Sequence, residues 1–165
     1  MPLQGIFFDA GNTLLVEEPG KHLWEMALIR IPDALEVLTA LKPHYRLGVI
    51  SNTVGSGDAE LADVLEKAGI RRLIDALVTS RDFGKAKPDP AIYAEGARRL
   101  GVSLDQTLMV GDRLDTDVAG ALNAGIPAVW LRHPGASAIP GIAPTHVIER
   151  LAELPPWIAA TYTRT

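Results

Sequence analysis

The sequence predicts an α/β fold with three layers, in which a parallel β-sheet carries helices on both faces. Two observations lead to this class. Six short apolar runs are each bounded by turn residues, which is typical of parallel strands buried on both faces. Segments with helical periodicity lie between these runs, and strands that alternate with helices predict a parallel sheet.

The individual elements follow from these patterns. The predicted strands cover 5–9, 46–50, 76–79, 107–110, 128–131 and 145–148. Helices are expected over 32–42, 58–68, 90–100, 117–124 and about 148–154, the last with a restart after Pro155-Pro156. Aspartates at 58 and 89 are expected as N-terminal caps, and glycines at 69, 101 and 125 as helix stops.

Composition excludes several classes of protein. The 165 residues predict a single domain, 1–165, and the absence of cysteine excludes disulfides, iron–sulfur clusters and a cysteine nucleophile. A net charge of −4 argues against binding a nucleic-acid backbone. Neither a membrane span nor a secretory signal is recognisable, so we expect a cytoplasmic protein.

Polar residues follow the predicted strands at the edge where α/β proteins place their active sites. They are Asp9 after the first strand, Ser51 and Asn52 after the second, Lys87 after the third, and Asp112 after the fourth, with Asp115 and Asp117 close behind. The sequence therefore predicts one site that combines a carboxylate, a hydroxyl, an ammonium and an acidic cluster.

Four segments resemble, in order, the motifs of the haloacid dehalogenase-like hydrolase superfamily. They are FFDAGNTL around Asp9, VISN with Ser51, KAKPDP with Lys87, and VGDRLDTD with Asp112 and Asp117. The resemblance covers nearly the whole chain and implies a Rossmann-like core. The Lys-Pro context favours Lys87 over Lys85 as the motif lysine.

The resemblance implies a phosphatase that works through an aspartyl-phosphate on Asp9. Mg²⁺ would be held by Asp9, the carbonyl of Gly11 and Asp112. Lys87 and Ser51 would hold the phosphoryl oxygens, with further donors from Asn52 and the backbone N–H groups of 10–12. Thr13 keeps its place in the first motif. Asp117 is expected to orient Lys87 or a metal-bound water.

Gly11 departs from the pattern, because the family's phosphatases carry a second aspartate there as general acid and base. Three explanations stay open: weak activity, a leaving group that needs no acid, or another group in that role. Glu17 and Glu18 are nearby and are interpreted as a solvated turn. The alternatives are a degenerate member that binds phosphate or protein without turnover, and a dehalogenase- or phosphonatase-type hydrolase, since those branches also lack the aspartate.

The chain has no room for a substantial cap domain. Only residues of about 17–31 remain for a vestigial cap or linker helix, predicted around 23–30. An open site admits phosphorylated small molecules or macromolecules, or needs a neighbouring subunit as a lid. Trp24, Met26 and Leu28 offer an apolar surface for a homodimer, and packing of these residues on the core is the alternative.

Overall fold

A computed structural model describes residues 2–22, 25 and 28–162 and confirms the predicted fold class. Six parallel strands form one sheet in the order β3-β2-β1-β4-β5-β6. The strands are β1 Gly5–Phe8, β2 Arg46–Ser51, β3 Ala76–Thr79, β4 Thr107–Gly111, β5 Ala128–Leu131 and β6 His146–Ile148. Every predicted strand is present, because short apolar runs between turn residues leave few alternatives to a buried parallel strand.

Helices connect the strands and cover both faces. They are α1 Ala34–Leu41, α2 Asp58–Lys67, α3 Ser80–Phe83, α4 Ala91–Leu100, α5 Ala119–Asn123 and α6 Leu154–Thr161. Short 3₁₀ turns lie at Arg71–Leu73, Leu104–Gln106 and Leu151–Glu153, and a π-helical turn, Leu114–Val118, leads into α5.

Alternation along the central strand divides the core into two clusters. Ile6 and Phe8 pack in the cluster that contains residues of α1, α2 and α6, whereas Phe7 packs with residues of α4 and α5. Successive side chains of a strand point to opposite faces, so a fully buried strand needs an apolar residue at every position. This accounts for the unbroken apolar run of β1.

Several helix boundaries differ from the prediction. Pro155 and Pro156 do not interrupt the last helix: α6 begins at Leu154 and carries both prolines in its first turn, where proline is tolerated. Gly57, not Asp58, precedes α2 as its cap residue. The Asp58 carboxylate instead accepts hydrogen bonds from the backbone N–H and hydroxyl of Thr79 and from Arg99.

Half of the predicted helix around 23–30 lies outside the described residues, including Trp24 and Met26. Its last residues are not helical. Leu28 has a φ of 55°, and Arg30 forms an antiparallel bridge with Leu15. Leu28 is half-buried against the core, as the packing alternative expects, whereas Ile29 is 59% exposed. Within the described residues, no helix is both long and apolar enough to cross a membrane.

Candidate active site

The central strands bring the predicted site residues together at one edge of the sheet. Phe8, at the end of β1, is level with Val49 of β2 and Val110 of β4. Asp9, Ser51 and Asp112 follow these positions within two residues and therefore meet at the carboxyl edge of the sheet. Asp9 and Ser51 are buried.

Lys87 is the buried cation of the site. Its Nζ donates hydrogen bonds to Asp9 Oδ1 at 2.9 Å, Asp117 Oδ1 at 2.7 Å and the Ile50 carbonyl at 2.8 Å. Three acceptors match the three protons of an ammonium group. Lys85 is exposed, so the choice of Lys87 on its Lys-Pro context agrees with the geometry.

Asn52 clamps the backbone of Lys87. Its Nδ2 donates to the Lys87 carbonyl at 2.9 Å, and its Oδ1 accepts the Lys87 N–H at 2.8 Å. Asn52 therefore positions Lys87, and its expected contact with a phosphoryl group stays a prediction. In the 10–12 turn, the N–H of Asn12 donates to the Leu15 carbonyl at 2.6 Å, which removes it from the expected set of anion donors.

Asp112 and Asp117 occupy different environments. Thr13 Oγ1 donates to Asp112 Oδ1 at 3.3 Å, a contact that the sequence did not predict. Both oxygens of Asp117 are engaged, one by Lys87 and the other by the Arg113 N–H at 3.0 Å. Asp117 thus orients Lys87. Asp115 is exposed and pairs with Arg113, away from the acidic cluster.

The acidic cluster fits a divalent cation. One carboxylate oxygen each from Asp9, Asp112 and Asp117 lie within 4.8 Å of one another. Lys87 pairs with two of these carboxylates, Asp9 and Asp117, so the four ionised groups together carry two surplus negative charges. Carboxylate oxygens are the ligands that Mg²⁺ prefers.

Protonation equilibria reflect this surplus charge. Burial raises the pKa of Asp9 to about 6, despite the opposing effect of Lys87. Burial also raises the pKa of Asp117 to about 6, again against Lys87 and with added repulsion from Asp9. Burial and the charge of Asp117 raise the pKa of Asp112. Bringing a cation into the cluster would stabilise the ionised carboxylates.

Glu17 lines the candidate site, although the sequence was interpreted as placing it in a solvated turn. A cavity of about 130 Å³ is lined by Asp9, Gly11, Glu17, Ser51, Asn52, Lys87, Arg113, Thr116 and Asp117. Glu17 is exposed, as a solvated turn requires, but it also lines this cavity. A Cβ added to Gly11 would lie 2.8 Å from Glu17 Oε2. The Glu17 carboxylate therefore fills the space that a longer side chain at position 11 would take.

Comparisons with known proteins agree with the fold and with the family that the sequence resembles. A model of the haloacid dehalogenase-like hydrolase family matches residues 22–125. The chain is 34% identical over 162 residues to the pyrimidine 5'-nucleotidase YjjG of Escherichia coli, covering 93% of this chain and 70% of that protein. It is 38% identical to a glyceraldehyde 3-phosphate phosphatase of Methanothermobacter thermautotrophicus, over 66% of this chain and 47% of that protein.

One further curated protein and one solved structure are also similar to this chain. Mouse N-acylneuraminate-9-phosphatase is 31% identical, over 88% of this chain and 60% of its own length. The crystal structure of a HAD phosphatase from Thermococcus onnurineus superposes with a TM-score of 0.81 at 22% identity, over 98% of this chain and all of that one. The chain thus spans about half to 70% of these curated relatives.

The strand order and the structural match define an α/β protein with a Rossmann-like core. It belongs to the haloacid dehalogenase-like hydrolase family.

Proposed function

We propose that the protein is a Mg²⁺-dependent phosphatase of the cytoplasm that hydrolyses phosphate monoesters through an aspartyl-phosphate on Asp9. The observation that carries this proposal is the position of Lys87 Nζ between Asp9 and Asp117, beside the third carboxylate of Asp112. A cation and a carboxylate cluster at the end of β1 suit the transfer of a phosphoryl group. The relatives named above as phosphatases and a nucleotidase support the same class of substrate.

In the proposed reaction an oxygen of Asp9 attacks phosphorus, and the bond from phosphorus to the leaving-group oxygen breaks. Lys87 holds Asp9 in place and offers positive charge to the phosphoryl oxygens, together with the hydroxyl of Ser51. Water then attacks phosphorus, and Asp9 is released with inorganic phosphate. Mg²⁺ bound by Asp9, Asp112 and the carbonyl of Gly11 would neutralise charge on the transferred group.

A phosphate-release screen tests this proposal. Wild-type protein, supplied with Mg²⁺, is incubated with nucleoside monophosphates, triose phosphates and phosphorylated sugar acids. We expect release that a chelator abolishes and that Asp9→Asn lacks. Binding of inorganic phosphate without turnover would favour the degenerate, ligand-binding alternative. Halide release from a haloacid, insensitive to chelator, would favour a dehalogenase.

The open site leads us to propose a homodimer in which a second subunit limits solvent access. Two exposed apolar side chains support such a contact: Val54, 96% exposed and two residues after Asn52 of the site, and Ile29. Sedimentation velocity at micromolar concentration should detect the dimer. A monomer would favour a phosphorylated macromolecule as the partner that covers the site.

A further inference from the structure

A second cavity adjoins the first one and indicates where a leaving group would lie. Its volume is about 330 Å³, and its lining is Glu17, Gly20, Lys21, His22, Asn52, Thr53, Val54, Gly55 and Ser56. Glu17 and Asn52 line both cavities. Asp9 and Lys87 lie in the first, so the phosphoryl group belongs there. The rest of the substrate then extends into the second, past Glu17.

The carboxylate of Glu17 is held in this position by the turn itself. Asn12 Oδ1 accepts the backbone N–H of Glu17 at 3.0 Å, and Asn12 Nδ2 donates to Glu17 Oε2 at 3.4 Å. Asn12 has a φ of 56°, a left-handed conformation that asparagine tolerates better than most residues. The sharp turn after β1 therefore brings Glu17, eight positions after Asp9 in the chain, back to the cavity that Asp9 lines.

The other charged groups of the first cavity already have roles. Lys87 binds Asp9 and Asp117, and Arg113 binds Asp115. Glu17 differs from the two aspartates, because its carboxylate is contacted by the neutral amide of Asn12. A carboxyl group outside the Lys87 ion pairs is the group best suited to exchange a proton with a substrate oxygen.

We propose that Glu17 is the proton donor for the leaving group, acting across the space left by Gly11. This inference rests on the proposed phosphatase function. As Asp9 bonds to phosphorus, the bridging P–O bond breaks and the departing oxygen takes the proton of the Glu17 carboxyl. The Glu17 carboxylate then accepts a proton from the water that attacks the aspartyl-phosphate. This step releases phosphate and restores both carboxyl groups to their starting states.

The dependence of rate on the leaving group tests this role. Glu17→Gln and Glu17→Ala are compared with wild type on β-glycerol phosphate, whose alkoxide leaves poorly, and on p-nitrophenyl phosphate, whose phenolate leaves without a proton. We expect a loss of kcat on the alkyl substrate of about 100-fold or more, the range for a general acid. The loss in formation of the phosphoenzyme from the aryl substrate should be much smaller. Glu18→Gln, which changes the same charge one residue away, should behave as wild type.

A rescue experiment distinguishes proton donation by Glu17 from a purely structural role, because a structural defect would not be repaired by a carboxylate placed at position 11. Gly11 is not among the described residues with positive φ, so an aspartate fits its backbone. In wild type the new side chain would press on the Glu17 carboxylate. In the Glu17→Ala background that space is free, and Gly11→Asp should recover at least about 10-fold of the lost rate on the alkyl substrate.

The two proposals fail in different ways. Equal losses in the rate of phosphoenzyme formation from both substrates in Glu17→Gln, or no rescue by Gly11→Asp in a folded double variant, would overturn the role of Glu17 and leave the phosphatase intact. A wild-type protein that releases no phosphate and forms no phosphoenzyme from either substrate would overturn both. Circular dichroism of each variant checks that the fold is retained.

Discussion

Lys87 fixes the charge balance of the site at the scale of single residues. It is 3% exposed, and its two carboxylate partners would be left as uncompensated buried charges without it. Removing one partner of a buried ion pair costs far more than the pair contributes, because the desolvated charge that remains has no counter-charge. We therefore expect the lysine to stabilise the fold, in addition to its proposed role in binding a phosphoryl group.

Lys87→Met should lower the free energy of unfolding at neutral pH by about 3–5 kcal/mol. The loss should be smaller near pH 5, where Asp9 and Asp117 take up protons more readily than ordinary aspartates. Urea unfolding measures both values. Lys85→Met, which removes an exposed lysine two residues away, is the matched control and should be neutral. Equal stability of the two variants would contradict this account of Lys87.

Asp112→Asn should weaken Mg²⁺ binding by at least about 10-fold, since it removes one of the three carboxylates that lie within 4.8 Å of one another. Its hydrogen bond from Thr13 can still be accepted by the amide oxygen, so the fold should be retained. Titration calorimetry with Mg²⁺ alone measures the effect. Asp115→Asn, in an exposed pair with Arg113, should bind Mg²⁺ as wild type does. An unchanged affinity in Asp112→Asn would remove Asp112 from the metal site.

The sequence predicted most of the charged centre but not the groups that surround it. Asp9, Ser51 and Asp112 come at or just after strand ends, and Lys87 has its Lys-Pro context, so linear position was enough. Glu17 is different, because its place depends on the left-handed Asn12 and on how the chain returns after the turn. A motif contains no information about that return path.

At the scale of elements, α5 packs unusually close to the segment that carries Lys87. A Cβ on Gly120 would lie 2.6 Å from the hydroxyl of Tyr93 and 2.9 Å from Cα of Pro88. The same hydroxyl donates to the carbonyl of Asp117 at 3.0 Å. The absence of a side chain at Gly120 therefore allows α5 to pack closely against Tyr93 and against the segment that carries Lys87.

Gly120→Ala should destabilise the protein by about 1–3 kcal/mol, the usual cost of overpacking, although alanine is the better helix former. The nearby backbone of Pro88 must shift, so phosphate release should fall as well. Thermal unfolding and turnover measure these effects. Asn123→Ala, on the exposed side of the same helix, should leave both unchanged. A Gly120→Ala protein as stable as wild type would disprove the close packing.

Prediction succeeded for strands and was weaker for helix ends. The strands are buried on both faces, so hydrophobic runs define them almost completely. The helical turn Leu114–Val118 is wound as a π-helix, and α3 is only four residues long, so neither produces a periodic pattern. Leu28 and Arg30 were assigned to a helix from local composition, whereas Leu28 has a left-handed backbone and Arg30 pairs with Leu15 in an antiparallel bridge.

At the scale of the whole molecule, repulsion and burial of the carboxylates in the site make the stability of the folded protein depend on pH. The pKa values of Asp9 and Asp117 are both about 6 in the folded protein, compared with an ordinary 3.8. Between pH 3.8 and about 6 the folded state therefore binds more protons than the unfolded state. Stability must then fall as pH rises through this window. The lowered pKa values of Asp58 and Asp75 act in the opposite sense, and their effect is lost only as the pH falls below the ordinary value of 3.8.

In the presence of a chelator, the melting temperature should therefore decrease between pH 4 and pH 6, the window set by these two pKa values. Asp117→Asn removes one of the two groups and should flatten that dependence. Mg²⁺ binds the ionised carboxylates, so it should raise the melting temperature more near neutral pH than at pH 4. Differential scanning calorimetry at matched ionic strength measures all three effects. The account would be contradicted if, with chelator, the melting temperature did not change between pH 4 and pH 6 and Mg²⁺ raised it equally at pH 4 and near neutral pH. The carboxylate cluster would then not be the source of the pH-dependent loss of stability.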